Sequence, residues 1–331
     1  MPYDPGVDLD VLFLGTAGAV PTARRAPSAT LVRRGGERIL VDCAEGTQRQ
    51  LLRSVAGLSD VDLVLLTHHH ADHVLGLPGM MKTFALRDRE QPLVIAGPRG
   101  LSALMTGFAP VIGRLTYEVE VRELEPGETI ERDGYRVEPY ATRHGAPSLG
   151  YALCEEHRPG RFDLDAARAA GVPDGPLFGR LQAGERVTLD SGAEVDPAQV
   201  LGPPRPGRRI VFSGDTRPCP ETVEAAAAAE LLVHEATFTE EEAERARQTG
   251  HSTAAEAARL AVDAQVAMLA LTHISTRHTA REIRDEARGV FPGTVVPRDL
   301  DLIEVPFAER GAPELVKSGA RLPRAEVPSG P

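Results

Sequence analysis

The sequence predicts an α/β fold, on three observations. Short apolar runs alternate with helix-patterned segments along most of the 331 residues. Four of those runs end abruptly in a residue able to bind a metal. One of the four leads into His68, His69, His70, Ala71, Asp72 and His73, which puts four histidines and an aspartate in six positions.

Taken in order, VLFL (11–14), RILVD (38–42), LVLL (63–66) and LVIA (93–96) are too short for helices and read as buried strands. RIVF (209–212), LLVH (231–234) and MLALT (268–272) read the same way. Helical spacing appears in TQRQLLRSV (47–55), EEAERARQ (241–248), TAAEAARLAVDA (253–264) and AREIRDEARG (280–289). The last opens after Thr279, whose hydroxyl suits an N-cap, and stops at Gly289. Between Tyr151 and Arg208 the alternation gives way to Gly/Pro-rich sequence with one helical run, DLDAARAAG (163–171). A loop of that length inside a domain is either functional or disordered. The expected organisation is one domain over 1–307, an inserted arm at about 155–208, and a flexible Pro- and Gly-rich tail over 308–331.

Composition narrows the function classes. A net charge of −11 argues against a generic nucleic-acid binder, which shows a basic footprint. Charge is uneven, however: residues 24–38 hold five arginines against one glutamate. Three cysteines, widely spaced and odd in number, argue against a disulfide framework and a cysteine-based zinc site. The first residues lack a signal-peptide pattern, and no stretch approaches 18 apolar residues, so the expectation is a cytoplasmic protein without a membrane span.

The four metal-competent strand ends are LVLLT before His68, RIVFSG before Asp215, LLVH before Glu235, and MLALT before His273. Functional groups of open α/β sheets collect beyond the carboxyl ends of strands, so these four imply one shared site. In an extended backbone His68 and His70 face one way and His69 the other. Asp72 and His73 then follow where the chain turns into a helix containing VLGLPGMM, within reach of a second metal. Imidazole and carboxylate ligands without cysteine suit Zn²⁺ in a catalytic site. One metal needs three protein ligands, and the surplus points to two. His144 of RHGAPS, Asp215 of FSGDT and His273 of LTHIS are the candidates to complete both shells, with Asp215 as a bridge. A two-metal clamp lowers the pKa of water toward neutrality, which suits phosphodiester, ester or amide hydrolysis and needs no serine or cysteine nucleophile.

The H-x-H-x-D-H run and the separate His, Asp and His resemble the metallo-β-lactamase-type hydrolases. That resemblance implies an αββα sandwich with two zinc ions at one edge. Nine motifs in order narrow it to the RNase Z (tRNase Z) family: FLGTAGAVPT (13–22), VDCAEGTQRQL (41–51), THHHADHVLGLPG (67–79), RHGAPSLGYAL (143–153), GVPDGPLFGRLQAGE (171–185), FSGDTRPC (212–219), HEATF (234–238), GHSTAAEAA (250–258) and LTHISTR (271–277). Two departures stand out. PTARRAPS (21–28) lacks the Arg-Asn pair common in the family, and Ala44 stands where glycine is usual.

The resemblance implies an endonuclease that removes the 3′ trailer of precursor tRNA after the discriminator nucleotide. It implies His68, His70 and His144 on one zinc, Asp72, His73 and His273 on the other, and Asp215 between them. Two Zn²⁺ per subunit are expected, with Mn²⁺ or another divalent metal as an alternative. Catalysis is assigned to Asp72 and to a hydrogen-bonded pair, Glu235 and His251, that protonates the leaving 3′-oxygen. The Gly/Pro-rich segment becomes a protruding arm that grips tRNA, often across a homodimer. Its acids balance its arginines, so it is not a continuous basic clamp. The expected substrate contacts are Arg24 and Arg25 in the first loop and Arg161 and Arg180 in the arm. Two rivals remain: a small-molecule phosphodiesterase or esterase on the same fold, which the acidic charge favours, and a non-catalytic RNA-binding scaffold, which the complete ligand set opposes.

Overall fold

The apolar runs fold as strands of two stacked sheets in a computed structural model that describes residues 8–58 and 61–318. The first sheet holds β1 (Leu9–Gly15), β2 (Ala29–Arg34), β3 (Glu37–Val41), β4 (Leu63–Leu65), β5 (Leu93–Gly97) and β6 (Val119–Glu123). It is extended beyond β1 by β16 (Leu302–Glu304) and β17 (Glu314–Val316). The second holds β7 (Ile130–Arg132), β8 (Tyr135–Ala141), β9 (Leu149–Glu155), β12 (Arg209–Phe212), β13 (Leu231–Glu235), β14 (Met268–Thr272) and β15 (Thr294–Val295), in the order β15-β14-β13-β12-β9-β8-β7. The pairings β3 to β6 and β12 to β15 are parallel, whereas β9 runs antiparallel to β12.

Strand alternation decides the layers. Val11, Phe13, Val41 and Leu65 of the first sheet meet Tyr151, Ile210, Phe212 and Val233 of the second in a shared core. The intervening residues Leu12, Leu14, Leu40 and Val64 point the other way, onto α1 (Thr47–Arg53), α3 (Leu77–Leu86) and α4 (Leu101–Ile112). On the far side Val211, Leu232 and Leu269 pack against α9 (Ala254–Asp263) and α10 (Ala280–Arg288). Two short helices, α7 (Pro220–Ala225) and α8 (Ala243–Thr249), precede them in the chain. In α9 the buried face is Ala254, Ala257, Ala258 and Ala261, small side chains at helical spacing that bring the helix close to the sheet. The product is the expected αββα sandwich. Both α9 and α10 begin with a reciprocal capping box, Thr253 with Glu256 and Thr279 with Glu282.

Several elements escaped the pattern reading, each for a local reason. β8 contains Pro139, and proline argues against a strand interior. α4 carries Gly107 and Pro110, both poor helix formers. The expected helix through VLGLPGMM is split into α2 (Ala71–Val74) and α3 at Gly76. A Cβ on Gly76 would stand 1.9 Å from the carbonyl oxygen of Ala44, so only glycine lets the chain pass there.

The segment 155–208 is ordered. Its two legs bridge at Arg158 with Arg205 and at Phe162 with Leu201. They carry α5 (Leu164–Ala169), α6 (Pro176–Gln182) and the hairpin β10 (Val187–Thr188) and β11 (Glu194–Val195) around a core of Ala167, Val172, Leu181, Val187, Val195 and Val200. This arm leaves the sandwich at the last residue of β9 and returns at the first of β12. The first residue of β9, Leu149, instead bonds Thr67 beside the histidine run. The seven-residue β9 therefore separates arm from site by roughly 20 Å.

The tail expected from residue 308 is partly a structural strand. Residues 308–310 form a turn, and β17 pairs with β16 in register, Ile303 opposite Leu315. The remainder, 319–331, lies outside the described residues. This end of the chain also fastens the arm. Glu309 accepts hydrogen bonds from Arg158 at 2.8 Å and Arg205 at 2.9 Å. The Phe307 ring lies under the guanidinium groups of Arg158 and Arg208, at 3.4 and 4.0 Å. Below it, the buried Glu155 carboxylate accepts from both Arg34 and Arg208. Removing it by Glu155→Ala is expected to destabilise the fold by about 3–5 kcal/mol, because the Arg208 cation stays buried. Urea unfolding measures this, and a midpoint equal to that of the wild type would refute it.

Candidate metal centre

The centre forms where β4, β12, β13 and β14 end. Past β4 the backbone stays extended to His70, at φ −67° and ψ 151°. Alternation therefore sends His68 and His70 inward, and His69 away toward Gly100, where an added Cβ would sit 3.6 Å from its ring. The single turn of α2 then presents Asp72 and His73. Gly214, at φ 58° and packed too close to Thr67 for a Cβ, lets the chain after β12 deliver Asp215, and β14 delivers His273. His273 sits at φ 58°, in the left-handed region that a β-carbon disfavours, a local cost of about 1 kcal/mol that neighbouring contacts must offset.

Two triads result. His68, His70 and His144 offer ligand atoms within 4.8 Å of one another, and so do Asp72, His73 and His273. Within the first, His68 Nε2 and His144 Nε2 lie 3.0 and 3.2 Å from His70 Nδ1. Asp215 Oδ2 stands between the triads, 3.8 Å from His68 Nε2, 3.4 Å from His73 Nε2 and 3.2 Å from His273 Nε2. The structure thus brings together all seven residues proposed as ligands.

The outer nitrogens of four of the five imidazoles are held in turn, which fixes ring orientation. His73 Nδ1 is 2.7 Å from Asp42 Oδ2, His68 Nδ1 is 3.1 Å from Thr67 Oγ1, His144 Nδ1 is 2.9 Å from the Gly250 carbonyl, and His273 Nδ1 is 2.8 Å from Thr237 Oγ1. Sequence reasoning missed Asp42, Thr67 and Thr237. Asp42 closes the strand RILVD in the left-handed region at φ 58° and also accepts from the backbone and hydroxyl of Thr67.

These residues fit divalent cations. The inner Nε2 of His73 is buried and has no hydrogen-bond partner, although it faces Asp72 and Asp215 at 3.6 and 3.4 Å. Burial disfavours charge on this ring, yet Asp215 and Asp42 raise its pKa well above the ordinary value. A cation meets the same demand that a proton meets there. His68 responds oppositely: burial and then the neighbouring His73 lower it to about 2, which keeps its nitrogen free to ligate.

Beside the triads, Glu235 and His251 form a pair at 2.9 Å between Oε1 and Nδ1. Glu235 is buried and fixed by the Thr216 and Thr237 amides and the Thr237 hydroxyl. Burial works against a charged His251, but the Glu235 carboxylate, with Asp215 3.9 Å away, raises its pKa to about 9. Its ring stacks on that of His273 with centroids 5.3 Å apart.

The arginines expected to hold substrate divide. Arg25 turns inward and donates to Thr16 Oγ1 and to the Pro297 carbonyl, so it builds the first loop instead of standing open to substrate. Arg24 is exposed. In the arm Arg180 is paired with Glu185, and Arg158, Arg168 and Arg186 have acidic partners as well. Of these five, Arg161 alone has no acidic partner among the described residues.

A family described as a beta-lactamase superfamily domain matches residues 37–162 and 190–274. The chain is 51% identical over 302 residues to a ribonuclease Z of Haloferax volcanii, covering 90% of this chain and 95% of the relative. The chain belongs to the ribonuclease Z family. It is 46% identical to the ribonuclease Z of Methanosarcina acetivorans, over 90% of this chain and 99% of that one. Human tRNase Z, short form, superposes with a TM-score of 0.67 at 26% identity, over 90% of this chain and 99% of that structure. The protein is accordingly a hydrolytic endoribonuclease of the metallo-β-lactamase superfamily, with His/Asp clusters able to bind metal. In this ribonuclease the first glycine-rich loop belongs to the site: the amide of Ala19 donates to Asp72 Oδ2 at 3.0 Å.

His68→Ala is expected to lose bound metal and His69→Ala to keep it. Asp42→Asn should weaken metal affinity about 10- to 100-fold through His73. Elemental analysis after dialysis against graded chelator measures all three, and equal metal in the His68 and His69 variants would contradict the assignment.

Proposed function

We propose that this ribonuclease cuts precursor tRNA after the discriminator nucleotide, leaving a 3′-hydroxyl on the tRNA and a 5′-phosphate on the trailer, with two zinc ions per subunit. The observation that carries the reading is the buried Glu235–His251 pair set against a seven-residue ligand cluster. His68, His70 and His144 would hold one ion, Asp72, His73 and His273 the other, with Asp215 shared. Bound there, the ions supply Lewis-acid activation of water and of the phosphodiester.

The chain's own groups do the rest. Asp72 and Asp215 place negative charge at the cluster. His251 commits Nδ1 to Glu235, so Nε2 is the atom that holds a proton and gives it to the leaving 3′-oxygen. The raised pKa of His251 keeps that proton in place at neutral pH. Glu235 has its own geometry fixed by three donors, so the imidazole inherits that orientation.

The arm supports a large substrate. It emerges roughly 20 Å from the cluster, beyond the reach of a small phosphodiester. A 3′-extended precursor tRNA with mapped products tests the reading, and wild type should cut next to the discriminator. His251→Ala should lower kcat about 10²- to 10⁴-fold. Deleting the arm should abolish tRNA cleavage while a small phosphodiester is still turned over; equal loss of both would favour the small-molecule reading.

We also place the protein in the cytoplasm and in a homodimer. The three cysteines are free and buried, as a reducing compartment allows. Among the described residues no helix is long and apolar enough to cross a membrane. Leu52, Leu75, Leu86 and Val111 lie exposed on or beside the adjoining helices α1 to α4, an apolar surface suited to a second copy. Sedimentation equilibrium should give about twice the 35.4 kDa chain mass; a monomer at micromolar concentration would refute the dimer.

A further inference from the structure

The core of the arm does not fix the direction in which it leaves the sandwich, because every side chain in that core comes from residues 162–200. Its neck is a two-stranded ribbon that continues β9 and β12. Backbone hydrogen bonds join Arg158 with Arg205 and Arg161 with Gly202 across it. The legs pass so closely that no Cβ fits on Gly160 against the Gly202 carbonyl. A ribbon of two strands is marginal by itself and twists easily.

A constraint on the neck comes from the C-terminal turn, residues 307–310. Glu309 accepts from both terminal nitrogens of Arg158, at 2.8 and 2.9 Å, and from Arg205 at 2.9 Å. The same arginines tie the legs crosswise, Arg158 to the Pro206 carbonyl and Arg205 to the Pro159 carbonyl. The Phe307 ring lies beneath Arg158 and Arg208. The turn itself belongs to the first sheet: the Val305 amide donates to the Leu9 carbonyl, and β17 returns along β16. The neck grows out of the second. Arg168, Arg180 and Arg186 find acids inside the arm, whereas Arg158 and Arg205 reach out of it to Glu309. A bidentate, partly buried contact shared by two legs is stiffer than an exposed pair. Hydrogen bonding from Arg158 holds the Glu309 carboxyl down at about 2, so it is charged at neutral pH.

We infer that Phe307 and Glu309 are positioning residues for tRNA cleavage: they fix the angle at which the arm leaves the sandwich, and so where the bulk of the substrate is held relative to the metal centre. The inference rests on the function proposed above, in which the arm serves a large substrate. A neck free to bend leaves only a fraction of the molecules with the arm in the productive direction, and the affinity for tRNA falls by that fraction. The chemistry at the scissile phosphate is untouched. The turn meets the arm end of β9, roughly 20 Å from the ligand cluster.

The test compares wild type with Glu309→Ala on a precursor tRNA and on bis(p-nitrophenyl) phosphate. The variant should raise KM for the tRNA about 10-fold, with kcat on tRNA and turnover of the small phosphodiester as in wild type. Glu309→Gln keeps an oxygen for the two guanidinium groups and should recover part of the loss. Phe307→Leu, which keeps apolar bulk without a ring face, should move KM in the same direction. A second measurement needs no substrate. The native cysteines are all buried, so a dye can be placed on Ser191→Cys at the arm tip alone. Its time-resolved anisotropy should gain a nanosecond component when Glu309→Ala is added. An unchanged KM, an equal loss on both substrates, or an unchanged anisotropy decay would overturn the inference. Absence of tRNA cleavage by wild type would instead sink the function on which it rests, and the anisotropy would still decide whether the turn holds the arm.

Discussion

A buried carboxylate among imidazoles is the contact on which this centre depends. Asp215 lies within 4 Å of ring nitrogens from His68, His73, His251 and His273, which arrive on three separate segments of the chain. Burying those rings together disfavours charge on them, and Asp215 itself would be costly to bury alone. Each need answers the other, and the neighbouring histidines hold the Asp215 carboxyl well below its usual range despite the burial. Asp42, Asp72 and Glu235 repeat the arrangement around it, each on one or more of the same rings. The sheets serve this cluster. Parallel neighbours β12, β13 and β14 deliver Asp215, Glu235 and His273 at successive strand ends, so their spacing is set by the spacing of strands.

Much of this was legible in the residues. The run from His68 to His73 carries its own geometry, because alternation in an extended chain separates His69 from its neighbours. The strands that end in ligands were recognisable as short apolar runs with abrupt polar termini. Other features were silent because their meaning is made by packing. Asp42 looks like a strand-ending turn residue, and only the fold shows its carboxylate on His73. Thr237 reads as an unremarkable hydroxyl but joins Glu235 to His273. Arg25 and Arg24 are indistinguishable as letters, whereas hydrogen-bond acceptors under the loop draw one inward and leave its neighbour in solvent. The C-terminal strand β17 was hidden by flanking Pro and Gly residues.

Charge is managed locally throughout. The arm pairs most of the arginines considered for it with acids, and exposed pairs of that kind contribute little to stability. Their effect is to cancel field, so the arm offers shape and a few open contacts instead of a broad positive surface. The loop beside the centre does the reverse, turning Asp299 inward and leaving Arg24 and Arg298 facing out. An acidic protein can thereby approach a polyanion at chosen points without attracting it everywhere.

The arm closes on six buried side chains of its own, apart from the cores that hold the sandwich. A core that small has little cooperativity to share with the body, so the two units open with different free energies. On the function proposed above, warming would then uncouple recognition from chemistry: the protein would first become indifferent to the bulk of its substrate, and only later cease to hydrolyse.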